Sequence, residues 1–332
     1  MKTDDRSVLT VSRRTLLGAA LATPFGVSAR AQAYPTRNPH IIVPFAAGGP
    51  TDVLTRIAAD RVSPALGQKL VVESRAGAGG NIAADAVLRA DADGYTLLVA
   101  GQAILAINRA LYKKLSYDPA SDFKFVGMLG VIANVLLVNP AAVPVTSVAE
   151  LIALAKKKPG EISYASNGPG SLTHLTTAVM AHQAGVELLH VPYQGASALM
   201  ADLLTGRIGM TFTAASAALP LVRSGQLRAL AVTTGERSRF SPDLPTLVES
   251  GFPSLAAPTW FAMVARTGTP EPVLARLRTE FNAVTASDDY AKALEKQSME
   301  IMRVPPETAD DFLAKERALW SEAVKITGVS ID

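Results

Sequence analysis

The sequence predicts an α/β protein of two lobes, each a mainly parallel sheet flanked by helices. Three observations carry that prediction. Short apolar runs alternate with helix-period stretches from His40 onward, and the alternation restarts near residue 126. Each half then holds one glycine-rich turn between a strand run and a helical pattern. At 332 residues the chain exceeds the usual size of one hydrophobic core, which suits two modest lobes.

In chain order, "HIIVPF" (40–45) reads as a strand, followed by a helix over 51–66 that Gly67 stops. "KLVVES" (69–74) is the next strand, "RAGAGG" a loop, 81–90 a helix and "YTLLVA" (95–100) a third strand. The run "VGMLGVIANVLLVNP" (126–140) holds two strands and a crossing segment. Ser147 and Glu150 form a capping box for a helix that ends at the three lysines 156–158, whose charge complements the helix C-terminus. "EISYAS" (161–166) precedes the second glycine turn, and a helix follows over 172–184. "ELLHVPY" (187–193), "RIGMTFT" (207–213) and "LRALAVTT" (227–234) are further strands, and the region after "TWFAMVA" (259–265) is mostly helical to the end. The expected division is 34–134 plus about 261–332 for lobe one and 135–260 for lobe two.

Residues 1–33 read as an export signal of twin-arginine type. Arg13-Arg14 precedes an apolar stretch from Thr15 to Val27, and Ala31-Gln32-Ala33 offers small residues for cleavage. Leu16 stands where such signals often carry Phe. Of 32 basic and 29 acidic residues, five and two lie in 1–33, leaving 27 of each sign. The high pI therefore comes largely from the signal, and nucleic acid is not an expected partner. The chain has no cysteine, so disulfides, thiolate metal sites and a lipid-anchored Cys are excluded. A periplasmic protein, acting as a monomer, fits this composition.

The two turns, Pro44–Asp52 and "SNGPGSLTHL" (166–175), sit where strands end and helices begin. Open α/β sheets bind ligands at that edge. The first stretch has the layout of a phosphate loop but no lysine, and no GxxxxGK occurs in the chain. Free N–H groups at helix N-termini suit an anion without a cationic side chain. Gly48, Gly49, Gly168 and Gly170 leave the backbone open to approach, and Thr51, Ser166, Ser171 and Thr173 add hydroxyls. A turn that only caps its helix would need the same residues. Two such turns, one per lobe, favour a shared cleft.

A family resemblance covers essentially the whole chain beyond residue 33. It rests on "YPTRNPHIIVPFAAGGPTDVLTRIAA", "LGQKLVVESRAGAGGNIAADAV", "DGYTLLVA", "INRALYKKLSYDP", "YASNGPGSLTHL", "HVPYQG", "LRALAVTTGERS", "LPTLVESGFP" and "GTPEPVLARL", all in order. These segments resemble the Bug family, the periplasmic substrate-binding receptors of tripartite tricarboxylate transporters. The resemblance implies a periplasmic binding protein fold, type 2-like, closing on a small organic carboxylate for delivery to membrane transporter subunits. It implies contacts from Phe45, Ala46, Gly48, Gly49, Thr51 and Asp52 in lobe one. In lobe two it implies Ser166, Asn167, Gly168, Ser171, Thr173 and His174, with Thr213 at the distal end. Where the family often shows Phe-Asp-Asn, this chain has Phe212-Thr213-Ala214, so an amino-acid ligand is less favoured than a neutral-tailed acid or a dicarboxylate. Pro169-Gly170-Ser171 likewise departs from the usual Gly-Thr.

Other chemistry has weak support. His174 and His182 lie about 12 Å apart along one helix and cannot share a metal ion, and His40 and His190 read as structural. "GAGGNI" (77–82) has Ile82 in place of the third Gly of a dinucleotide fingerprint and no acidic residue near 97, and no GxSxG exists. Trp260, Phe261 and Tyr193 read as packing residues. No cofactor, metal or catalytic residue is expected. The alternatives are an exported enzyme acting on a small acid and a sensory receptor for a signalling partner.

Overall fold

The computed structural model describes residues 34–193 and 195–331, together with Met1. The proposed export signal lies outside the described residues. The first half runs β1 (His40–Val43), α1 (Pro50–Leu66), β2 (Val71–Ser74), α2 (Asn81–Arg89), β3 (Thr96–Gly101), α3 (Asn108–Leu111) and β4 (Phe123–Ile132). A π-helical turn, Ala103–Ile107, joins β3 to α3. The middle runs β5 (Asn134–Val138), α4 (Val148–Lys157), β6 (Ser163–Ser166), α5 (Leu172–Ala184), β7 (Leu189–Pro192), α6 (Ala196–Leu204), β8 (Met210–Ala214), α7 (Ala215–Arg223) and β9 (Arg228–Val232). The chain ends with β10 (Thr259–Arg266), α8 (Glu271–Thr285), α9 (Asp288–Glu295) and α10 (Ala309–Thr327).

Two five-stranded sheets form, ordered β2-β1-β3-β10-β4 and β7-β6-β8-β5-β9. In each, the strand in fourth place runs against its neighbours: β10 is antiparallel to β3 and β4, and β5 to β8 and β9. The sheets are thus mixed, with four strands of five pointing one way. Both intruding strands are first strands after a crossing between sheets: β5 precedes the parallel set it joins, and β10 enters beside one already built.

The inner strands are buried on both faces, and the period of two sorts their side chains. In β3, Leu97 and Val99 pack with α1 and α8 residues such as Leu54 and Leu277, whereas Leu98 and Ala100 face α2 through Ala83 and Val87. In β5, Leu136 and Val138 join Leu175 and Val179 of α5, whereas Val135 and Leu137 meet Leu199 and Leu219. Helix ends follow the signals in the sequence. Gly67 closes α1 in the left-handed conformation at φ 73°, and Ser147 Oγ accepts the Glu150 N–H. The expected capping box is only half formed, because Glu150 accepts from the N–H and hydroxyl of Thr146 instead of reaching Ser147 N.

The chain crosses between sheets at Ala133, between β4 and β5, and returns between β9 and β10. Asn134 pins the crossings together: its N–H donates to Thr233 Oγ1, its carbonyl accepts from Thr233 N and its side-chain amide donates to Thr259 Oγ1 at 2.9 Å. α10 spans both cores. Ala309 and Leu313 pack under the first sheet, whereas Trp320, Ala323 and Val324 pack with α5. Its apolar face thus continues past one core into the next. Glu316, between them, accepts from the indoles of Trp260 (2.8 Å) and Trp320 (3.1 Å).

Candidate functional site

A cavity of about 430 Å³ lies at the strand ends, within the range of small-molecule sites. Pro44 and Phe45 contribute where β1 ends, Gly101 to Ile104 where β3 ends, and Asn167 with Pro169–Thr173 beyond β6. Asn134, Thr259 and Phe261 close it at the crossings, and Asn108, Tyr112 and Ile331 at the far side. These are the carboxyl ends of parallel strands, where open α/β sheets place ligands. None of the lining side chains is a carboxylate, lysine, arginine or histidine.

The lobe-two turn forms much of the wall. Ser171 caps α5, its hydroxyl accepting from His174 N and donating to Gly168 O at 2.6 Å. Thr173 Oγ1 accepts from Asn167 N at 3.1 Å. Asn167, Ser171 and Thr173 all line the cavity, so the positive end of a 13-residue helix faces it. Gly170, at φ 74°, lines it too and lies against Leu111 of α3: a Cβ there would meet Leu111 Cδ2 at 2.4 Å.

Two further expected residues stand behind this wall. Ser166 is fully buried; its hydroxyl accepts from Gly168 N and meets the His190 ring at 2.7 Å. His174 turns away from the cavity, and its Nδ1 accepts from Gly170 N at 3.0 Å. The two imidazoles stack at 4.0 Å with 8° between their planes, and Tyr164 stacks on His190 at 4.9 Å and on His174 at 6.4 Å. Burial first, and the neighbouring His190 second, lower the pKa of His174 to about 4; burial also lowers that of His190.

The lobe-one turn is built differently. Phe45 is exposed, packs edge-to-face on Phe261 at 6.3 Å and lines the cavity. Asp52 is buried and accepts from Gly48 N and Arg56 Nε, each at 2.9 Å. The Arg56 bond holds its carboxyl below the usual range, although burial opposes this. Ala46 accepts from Gly49 N, Gly49 caps α1, and buried Thr51 accepts through its carbonyl from the Thr55 hydroxyl. Ala46, Gly48, Gly49, Thr51 and Asp52 therefore shape the turn and do not line the cavity. Gly168 and Thr213 also stand outside the lining, Thr213 in register with Val135 on β8.

The sequence reading missed the segment after β3, from Gly101 to Tyr112, which supplies a whole wall. Its signal was present: the strand-end argument applied to the first and sixth strands applies equally to "YTLLVA". Gly79, from the loop rejected as a nucleotide fingerprint, also lines the cavity and accepts from Asn108 Nδ2 at 3.2 Å.

Comparisons with known proteins agree on one family. The profile of the tripartite tricarboxylate transporter family receptors (TctC) matches residues 54–329. BugT of Bordetella pertussis is 36% identical over 319 residues, covering 95% of this chain and 97% of BugT. The structure of R. palustris Rpa4515 with adipate has a TM-score of 0.78 and 37% identity, covering 90% of this chain and 99% of that one. The structure of the periplasmic binding protein BugD gives 0.74 and 33%, with coverage of 90% and 99%. These relatives are solute-binding proteins, not enzymes. With the profile spanning most of the described residues, the chain belongs to the tripartite tricarboxylate transporter receptor family.

Proposed function

We propose that the protein is a periplasmic receptor that closes on a small organic carboxylate and delivers it to a tripartite tricarboxylate-type membrane transporter. The observation that carries this reading is the N-terminus of α5, with Ser171 and Thr173, opening onto a cavity without charged side chains. Hydrogen bonds to a carboxylate contribute about 1.5–3 kcal/mol each, so a few N–H and hydroxyl donors supply useful affinity after ordering costs. Rpa4515, similar over 90% of this chain, carries adipate, which supports the carboxylate class. Residues 34–134 with 261–308 act as one lobe and 135–260 as the other, α10 being shared. They hinge at Asn134, Thr233 and Thr259 in the manner of periplasmic binding proteins.

In this reading Phe45, Asn167, Ser171 and Thr173 meet the ligand directly. Gly48, Gly168 and Asp52 hold the turns that present it. Calorimetry of the folded, ligand-free protein against mono- and dicarboxylates tests the proposal. At least one acid is expected to bind with a Kd of about 10 μM or tighter. No binding across the panel overturns it. Native mass spectrometry of the purified protein would identify a retained acid.

A further inference from the structure

The two stacked histidines lie one layer behind the cavity: His174 holds Gly170 of the turn that lines it, and His190 holds Ser166 at the turn's root. His174 Nδ1 accepts the Gly170 N–H, which requires a neutral ring with its proton on Nε2. The Ser166 hydroxyl accepts from Gly168 N, lies 3.2 Å from Gly168 O and is hydrogen-bonded to His190 Nε2 at 2.7 Å. Gly168 and Gly170 are both left-handed, at φ 105° and 74°, so the turn depends on these bonds to keep its shape.

We propose that His174 and His190 are positioning residues for ligand capture: as neutral rings they hold the 167–171 turn in its ligand-facing form, and protonation of His174 releases it. This rests on the reading of that turn as part of the carboxylate site. A proton on Nδ1 removes the acceptor for Gly170 N and places a cation against a second imidazole 4.0 Å away. Among the described residues no carboxylate offsets it: burial and His190 are what act on His174. β6 contributes the neutral Tyr164 ring and β7 contributes His190, while the α10 residues packed with α5 are Trp320, Ala323 and Val324. The carboxylate of Glu316 is occupied by the two indoles.

The sign follows from the lowered proton affinity. The released turn takes up protons near the ordinary histidine value of 6.5, and the formed turn only near about 4, so the formed state loses ground as pH falls from 6.5 toward 4. Amide hydrogen exchange on the mature chain reads this without ligand. The protection factor at Gly170 is expected to fall at least about tenfold from about pH 7 to about pH 5, and to stay within about twofold in His174→Asn, whose amide oxygen accepts but does not titrate.

Adipate affinity supplies the second readout. His174→Leu is expected to bind about tenfold more weakly at neutral pH, with His174→Asn within about threefold of the parent. The adipate carboxylates titrate alike in every variant and cancel in the ratios. Unchanged Gly170 protection with pH, or unchanged affinity in a folded His174→Leu protein, overturns the inference. If Gly170 protection behaves as expected but the parent binds no acid of the panel, the histidine grip stands and the carboxylate reading fails.

Discussion

The two glycine turns occupy equivalent places, each after the central strand of a parallel set, yet they are held by different means. The first is tied by one ionised carboxylate: Asp52 collects Gly48 N and Arg56 at a half-exposed edge. The second is tied by neutral groups, Ser166, Ser171, Thr173, His174 and His190, in a connected network with the buried His174 ring and the half-buried His190 ring behind it. The difference tracks contact with the cavity. The first turn lends it Pro44 and Phe45, and the second lends it Asn167 and everything from Pro169 to Thr173. A turn that presents N–H groups to an anion benefits from having no carboxylate of its own nearby, since like charges would oppose the ligand. Asp52 is compatible with an anion site because Arg56 balances its charge.

If the second turn is the stiffer and more involved one, the largest effect belongs to Gly170. A side chain there meets two penalties, the left-handed φ of 74° and a collision with Leu111 at 2.4 Å. Left-handed strain costs about 1–2 kcal/mol and overpacking about 1–3 kcal/mol. Gly170→Val should therefore weaken binding of the preferred acid by at least about thirtyfold and lower Tm by several degrees. Adding Leu111→Ala removes the collision but not the strain, so it should restore part of the loss. No recovery in the double variant would show that the contact between Gly170 and α3 does not matter to binding.

A mid-sized effect is expected from breaking the first turn's tie. Asp52→Asn keeps an acceptor for Gly48 N but loses the charge facing Arg56, which is half exposed and screened by water. The expected cost is about 1 kcal/mol, read by urea denaturation at neutral pH. Because the folded Asp52 pKa lies below its ordinary 3.8, its stabilisation is present above that value and lost as pH falls through the folded pKa. The variant should accordingly close its gap to the parent in strong acid. A gap that persists there would place the cost in packing and not in charge.

How much of this contrast was readable beforehand depends on the range of each interaction. The apolar runs marked the strands from β1 to β9, and the pattern after the second glycine turn marked α5 over 172–184. Those are local signals. The direction of β5 and β10 was not legible, since nothing local to "NVLLV" or "TWFAMVAR" says which neighbour it will meet. The span of α10 across both cores escaped for the same reason: its apolar stripe is evident, but its partners, from Trp260 back to α5 and the turn after β3, are distant in the chain. The site divided similarly. Ser171 and Thr173 were expected at the cavity and line it, while Asp52 and His174 turn back onto their own loops. A polar residue in a glycine turn can serve the ligand or the turn, and only the tertiary hydrogen bonds decide between them.

The smallest expected effect tests whether the first turn is only a joint. Gly48 has a left-handed φ of 77°, but a Cβ placed on it meets nothing within 4 Å. Gly48→Ala therefore carries the conformational penalty alone, about 1 kcal/mol, and no collision. Its N–H can still reach Asp52, so the turn should re-form at that cost. The preferred acid should bind about fivefold more weakly by calorimetry, with Tm lowered by only a few degrees. A loss beyond about fiftyfold with Tm unchanged would mean that the open space beside Gly48 is where the ligand sits when the lobes close. The two turns would then be equal halves of one clamp, and the contrast between them would be confined to how each is held.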